Sequence, residues 1–264
     1  MSNLLARWQE KRFAHEGIEH VVYRRGRGPG VIVMHEIPGI TPPVARFADR
    51  LVDAGYTVLM PWMFGEVGRS KTPGYVLAEV VRACVSREFS VLAARGASPI
   101  TEWLRALARD LHAELGGPGV GAVGMCLTGN FALAMSVDAA MMAPVLSQPS
   151  LPAGIGAERR AGLHVSDGAL MEIQERCAKS GLRVLGLRFT KDRSVPDERF
   201  THLRRALGEG FEAFEIDSAS GNAAGIPRNA HSVLTEHFVD REGHPTRAAL
   251  DRVLSFFAER LQTK

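Results

Sequence analysis

Along the chain, short continuous apolar runs alternate with stretches in which apolar side chains recur every third or fourth position. The first run, Val31-Ile32-Val33-Met34, is mostly β-branched and lies between the glycine cluster of 26–30 and Pro38-Gly39. That pattern predicts a strand buried on both faces. Thr41 then offers an N-cap ahead of two prolines, and Val44, Phe47, Ala48, Leu51 and Val52 keep helical spacing until Gly55. A strand is predicted over 56–60. A second helix opens at Ser98-Pro99 and aligns Leu104, Leu107, Ala108, Leu111 and Leu115 on one face before Gly116-Gly117. Further strands are predicted over 120–123, 183–189 and 211–216, with a helix over 197–207. A last helix carries Leu250, Val253, Leu254, Phe257 and Leu261. Strands alternating with amphipathic helices predict an α/β fold, a mostly parallel sheet with helices on both faces. In such sheets ligands bind beyond the carboxyl ends of the strands, so functional residues are expected just after them.

Bulk composition narrows the class. With 264 residues, 45% of them hydrophobic, the chain can bury one sizeable core, and a single domain over 1–264 is expected. The 32 basic and 29 acidic side chains leave a net charge of only +3, which argues against a nucleic-acid partner or a membrane surface and for a small-molecule ligand. Cys84, Cys126 and Cys177 are widely spaced and odd in number, unlike a disulfide framework or a paired-cysteine zinc site. A reducing cytoplasm, no metal and no organic cofactor are the expectations. The first 19 residues mix both charges without a long apolar run, and no later stretch reaches the roughly 18 apolar residues of a membrane-spanning helix. A monomer or small homo-oligomer is expected.

Candidate chemistry centres on Gly124-Met125-Cys126-Leu127-Thr128-Gly129, which follows the strand of 120–123 and precedes a helix-like stretch over 130–137. Strand, sharp turn and helix make the context of a nucleophile elbow, in which the reactive side chain projects from a strained turn between small neighbours. A cysteine there faces a helix N-terminus, which favours thiolate, and the Leu127 amide would point towards a developing oxyanion. A free cysteine between a buried strand and a helix is equally well a small packing residue. Thr128 also stands where the strict elbow pattern has glycine. A thiol nucleophile further needs a base and an orienting acid. Asp192 follows the strand of 183–189, and His231 lies in the loop after the strand of 211–216. Taken alone, Asp192 also reads as a turn residue, Asp217 is a rival acid, and His231 competes with eight other histidines.

Several segments together resemble the dienelactone hydrolase family, single-domain α/β-hydrolases with a cysteine nucleophile in a Gly-x-Cys-Leu context. They are Val31 to Gly39, Ala54-Gly55-Tyr56 leading to a strand ending at Pro61, Gly124 to Leu127, Lys191 to Pro196, and Ala230-His231-Ser232. The resemblance implies hydrolysis of a carboxylic ester or lactone through an acyl-enzyme, with Cys126, His231 and Asp192 as triad. It implies a Glu36 that lies against the cysteine and helps to form thiolate, and an Ile37 amide as second oxyanion donor. It also implies arginines that hold an anionic substrate. Arg82 stands near one such position, whereas the stretch after His231 is Ser232-Val233-Leu234-Thr235, without arginine. The segment 143–179 is a candidate pocket wall or lid. The competing reading is a catalytically silent binding or regulatory protein on the same fold.

Overall fold

The structure, a computed structural model, describes residues 3–86, 88–89, 98–150 and 160–262. A hairpin comes first, β1 (Gln9–His15) and β2 (Ile18–Arg25), joined at Glu16-Gly17. Both turn residues have positive φ, 48° and 81°, as a two-residue type I′ connection requires. There follow β3 (Gly30–Met34), α1 (Pro42–Asp53), β4 (Thr57–Trp62), α2 (Pro73–Val85), α3 (Pro99–Leu115), β5 (Val120–Met125), α4 (Leu127–Met135) and β6 (Met141–Ser147). The chain continues through α5 (Asp167–Lys179), β7 (Val184–Phe189), α6 (Asp197–Leu207), β8 (Phe211–Ile216) and α7 (Pro245–Leu261).

The eight strands form one sheet in the order β1-β2-β4-β3-β5-β6-β7-β8. The pairs β1–β2 and β2–β4 are antiparallel and all others are parallel. Successive strand residues point to opposite faces, and here both faces are covered. Val31, Val33, Val123, Met125, Val145, Leu185 and Leu187 pack against α1 and α7, including Phe47, Phe256 and Phe257. Ile32, Met34, Ala122, Leu146 and Val184 pack against α3, α4, α5 and α6, including Trp103, Leu104, Phe131, Ile173 and Phe200. Each such large side chain removed from water contributes about 1.5–3 kcal/mol. The two packed layers hold the carboxyl ends of β3, β5, β7 and β8 along one edge, where the candidate residues lie.

The structure changes the expectation for 143–179. Residues 143–147 belong to β6, inside the sheet, and 167–179 form α5, whose Ile173 and Cys177 are buried against it. Both pieces are parts of the α/β fold. Directly after β6, the buried Gln148 donates its backbone N–H to Leu187 O at 2.7 Å, and Ser150 reaches the candidate site. Residues 151–159 lie outside the described residues. No described helix is long and apolar enough to cross a membrane.

Candidate active site

β5 runs straight into α4, and the whole change of direction falls on Cys126, with φ 57° and ψ −121°. A non-glycine residue in that region stores strain that its surroundings must hold. Two glycines make the turn sterically feasible. A Cβ on Gly124 would stand 2.2 Å from the Thr128 carbonyl oxygen, and one on Gly129 would stand 2.9 Å from Pro149 Cα. Thr128, which departs from the strict elbow pattern, is fully buried and fits it. Its hydroxyl accepts from the Met125 amide at 2.8 Å and lies 3.0 Å from the Met34 carbonyl, tying the elbow to β3. The Cys126 amide donates to Ser147 O, and its carbonyl accepts from the Ser150 amide, each at 3.0 Å.

The thiol meets two side chains. Ser150 Oγ lies 2.9 Å from Sγ, and the His231 imidazole is near enough for its charge and hydrogen-bonding to act on the thiol. His231 Nδ1–H donates to Asp192 Oδ2 at 2.6 Å, and Asp192 Oδ1 accepts from the Ser194 amide at 2.9 Å. Of the acids considered, the structure therefore brings Asp192 to His231; Asp217 instead caps its own turn, accepting from the Ala219 amide. His202 bonds to Ala161 O. His237 has a supporting role, its Nδ1 accepting from the amides of His231 and Ser232 at 3.4 and 3.2 Å.

Electrostatics follow from this packing. Burial pushes the Cys126 thiol up, but the charge and hydrogen bond of His231 and the Ser150 hydroxyl outweigh it and leave the thiol below its usual range. Burial pulls His231 down, but the Cys126 and Asp192 charges with their hydrogen bonds hold it well above the usual imidazole range. The two shifts belong to one pair, and both run in the direction that favours thiolate with imidazolium. Arg199, buried in α6 and donating to Pro149 O and Gly162 O, is pulled down to about 10 by burial, opposed by Asp192 and Cys126. It remains a cation, and its charge interacts with Asp192 and Cys126.

Glu36 follows β3 and is 1% exposed. Its Oε2 accepts from Ser232 Oγ at 2.6 Å, and its Oε1 from Thr235 Oγ1 at 2.5 Å and Lys71 Nζ at 3.1 Å. Burial would raise its carboxyl, but the Lys71 charge and the two hydroxyls hold it below the usual carboxylate range. The neighbouring His35 is pulled by burial to about 4 and is neutral; its Nε2 accepts from the Met63 amide, and Nδ1–H donates to Glu36 O. The Leu127 amide opens α4, so it has no intrahelical acceptor. Ile37 is buried beside Glu36.

Arg82 is not brought to this site. It lies on α2 with its side chain 74% exposed and pairs with Glu79 at 2.7 Å. Conversely, the sequence reading did not single out Lys71 or Ser150. Each is one polar residue in a polar loop, with no motif to mark it. Among the described residues, no group of three or more His, Cys, Asp and Glu side chains could hold a metal ion.

A model of the dienelactone hydrolase family matches residues 19–261. The chain belongs to the dienelactone hydrolase family. It is thus a hydrolase of ester or lactone bonds. Solved structures agree on the fold of this family member. One from Klebsiella pneumoniae, assigned as a dienelactone hydrolase, has 17% identity and a TM-score of 0.61, covering 96% of this chain and 98% of that one. A dienelactone hydrolase-like promiscuous phosphotriesterase from metagenomic libraries has 15% identity and a TM-score of 0.58, with 97% and 98% covered. An esterase of Pyrococcus furiosus has 13% identity and a TM-score of 0.56, with 97% and 93% covered. No curated protein matches the sequence.

Proposed function

We propose that this family member hydrolyses a small carboxylic ester or lactone through a thioester acyl-enzyme, with Cys126 as nucleophile, His231 as base and acid, and Asp192 as orienting acid. The observation that carries the reading is the 2.6 Å hydrogen bond from His231 Nδ1–H to Asp192 Oδ2, made by an imidazole whose charge favours the ionised Cys126 thiol. The thiolate attacks the acyl carbon, and the carbonyl electron pair moves onto oxygen. The Leu127 and Ile37 amides act as donors to that oxyanion. On collapse the C–O bond to the leaving group breaks, and His231 hands its proton to the departing oxygen. Water then attacks the thioester while His231 takes up its proton; the acid departs and the thiolate returns. Asp192 fixes the imidazole and supports its charge. Glu36 acts beside this chain as a buried counter-charge held to the His231 loop. With Arg82 turned to solvent, anion binding has no part in the proposal.

Purified protein should hydrolyse a short aryl ester such as 4-nitrophenyl acetate. In Cys126→Ala the enzymatic rate is expected to fall by roughly a thousandfold or more, because the covalent route is closed. Undiminished turnover in that variant would remove Cys126 from the mechanism.

A further inference from the structure

Glu36 is a buried carboxylate whose neighbours come from separate segments. Ser232 and Thr235 reach it from the His231 loop, and Lys71 from the loop between β4 and α2. A buried anion left without a counter-charge is costly. Lys71 supplies one, with its side chain only 24% exposed, and its ammonium also lies 3.8 Å from Glu236 of the His231 loop. One ammonium therefore joins the segments after β3, β4 and β8 at the sheet edge that carries the thiol.

The charges around the thiol show what this contact does. His231 and Ser150 favour ionised Cys126, whereas Glu36 opposes it. Arg199 on α6 interacts with the same thiol through its charge. His237, beside Glu36 and Lys71, is held below the usual imidazole range by burial and by the charge of His231, and His35 is neutral. The Glu36 carboxylate thus opposes ionisation of the Cys126 thiol while the His231 and Lys71 charges stabilise Glu36 itself. Taking away Lys71 sets an uncompensated carboxylate against the thiolate.

We infer that Lys71 is a positioning residue of the proposed reaction, clamping Glu36 to the His231 loop and cancelling the charge that Glu36 sets against the Cys126 thiolate. The inference rests on Cys126 being the nucleophile. The carboxylate is occupied by Ser232, Thr235 and Lys71, so it influences the thiol through charge at a fixed position.

The test is the pH dependence of iodoacetamide alkylation in the full chain, quantified on the Cys126 peptide so that Cys84 and Cys177 do not contribute. In Lys71→Met the alkylation midpoint should rise by about one pH unit, seen as a roughly tenfold slower rate on the acid limb. Lys71→Arg should stay near the parent, and Glu36→Gln combined with Lys71→Met should recover most of the loss. If Lys71→Met does not fold, Lys71→Gln makes the same comparison. An unshifted midpoint in the charge-removing variant overturns the inference, as does a double variant no faster than the single one. A parent Cys126 that titrates as an ordinary thiol near pH 8.5 overturns the nucleophile assignment itself, a distinguishable result.

Discussion

At the scale of single residues, the site is a set of charges that make sense only together. His231 owes its raised affinity for a proton to Cys126 and Asp192, against the opposing pull of burial. Asp192→Asn removes one of those anions and a 2.6 Å hydrogen bond while keeping the shape. The variant should lose roughly a hundredfold or more in kcat/KM, as the imidazole loses both its orientation and its support. The sign of the pH effect follows. Leaving-group protonation requires imidazolium, so the basic limb of the rate profile reports loss of the His231 proton and should move to lower pH in Asp192→Asn. A basic limb that stays in place would mean that Asp192 does not set the His231 charge. Much of this set was legible in the sequence, because Cys126, Asp192 and His231 each follow a recognisable strand in the order the fold requires. Lys71 and Ser150 were not legible. Their roles arise from loop conformations that bring them to Glu36 and Cys126, and no local spacing encodes such meetings. Arg82 misled for the converse reason: its position along the chain says nothing of which side of α2 it occupies.

At the scale of elements, the elbow between β5 and α4 is the feature on which the site depends. Gly124 lets the strand pass the first turn of α4, with the Thr128 carbonyl oxygen 2.2 Å from where a Cβ would sit. Because that obstacle is backbone, Gly124→Ala must displace the turn that aims Cys126. The variant should lose about 1–3 kcal/mol in urea unfolding and most of its esterase activity; parent-like values for both would show that the turn tolerates a wider approach. Apolar periodicity located β3, β5, β7, β8 and α6 well, since buried parallel strands and amphipathic helices carry it. It missed the hairpin β1–β2 because β1, Gln9–His15, is charged and largely exposed. It missed β6 because Pro144 reads as a strand breaker. In the structure Pro144 sits within β6 opposite Ala122 of β5.

At the scale of the whole molecule, the sheet explains how residues as distant in sequence as Glu36 and Thr235 come to share one hydrogen bond. Parallel strands order their carboxyl ends along one edge, and the α1–α7 and α3–α6 layers fix that edge from both sides. The elbow, the acid turn and the histidine loop are then held by a common core. Family membership gives the class of bond that is cleaved; the arrangement of side chains supports the route by which it is cleaved. That route makes a definite chemical demand, a covalent thioester on one of three cysteines. Rapid-quench intact-mass and peptide mass spectrometry during turnover of 4-nitrophenyl acetate reads it directly. The account predicts a single added acetyl group on the Cys126 peptide, gaining occupancy when deacylation is slowed at low pH and absent from Cys126→Ala. Rapid ester turnover with Cys126 unmodified under quench conditions that preserve a synthetic protein thioester, or acetyl found instead on another residue, would contradict it.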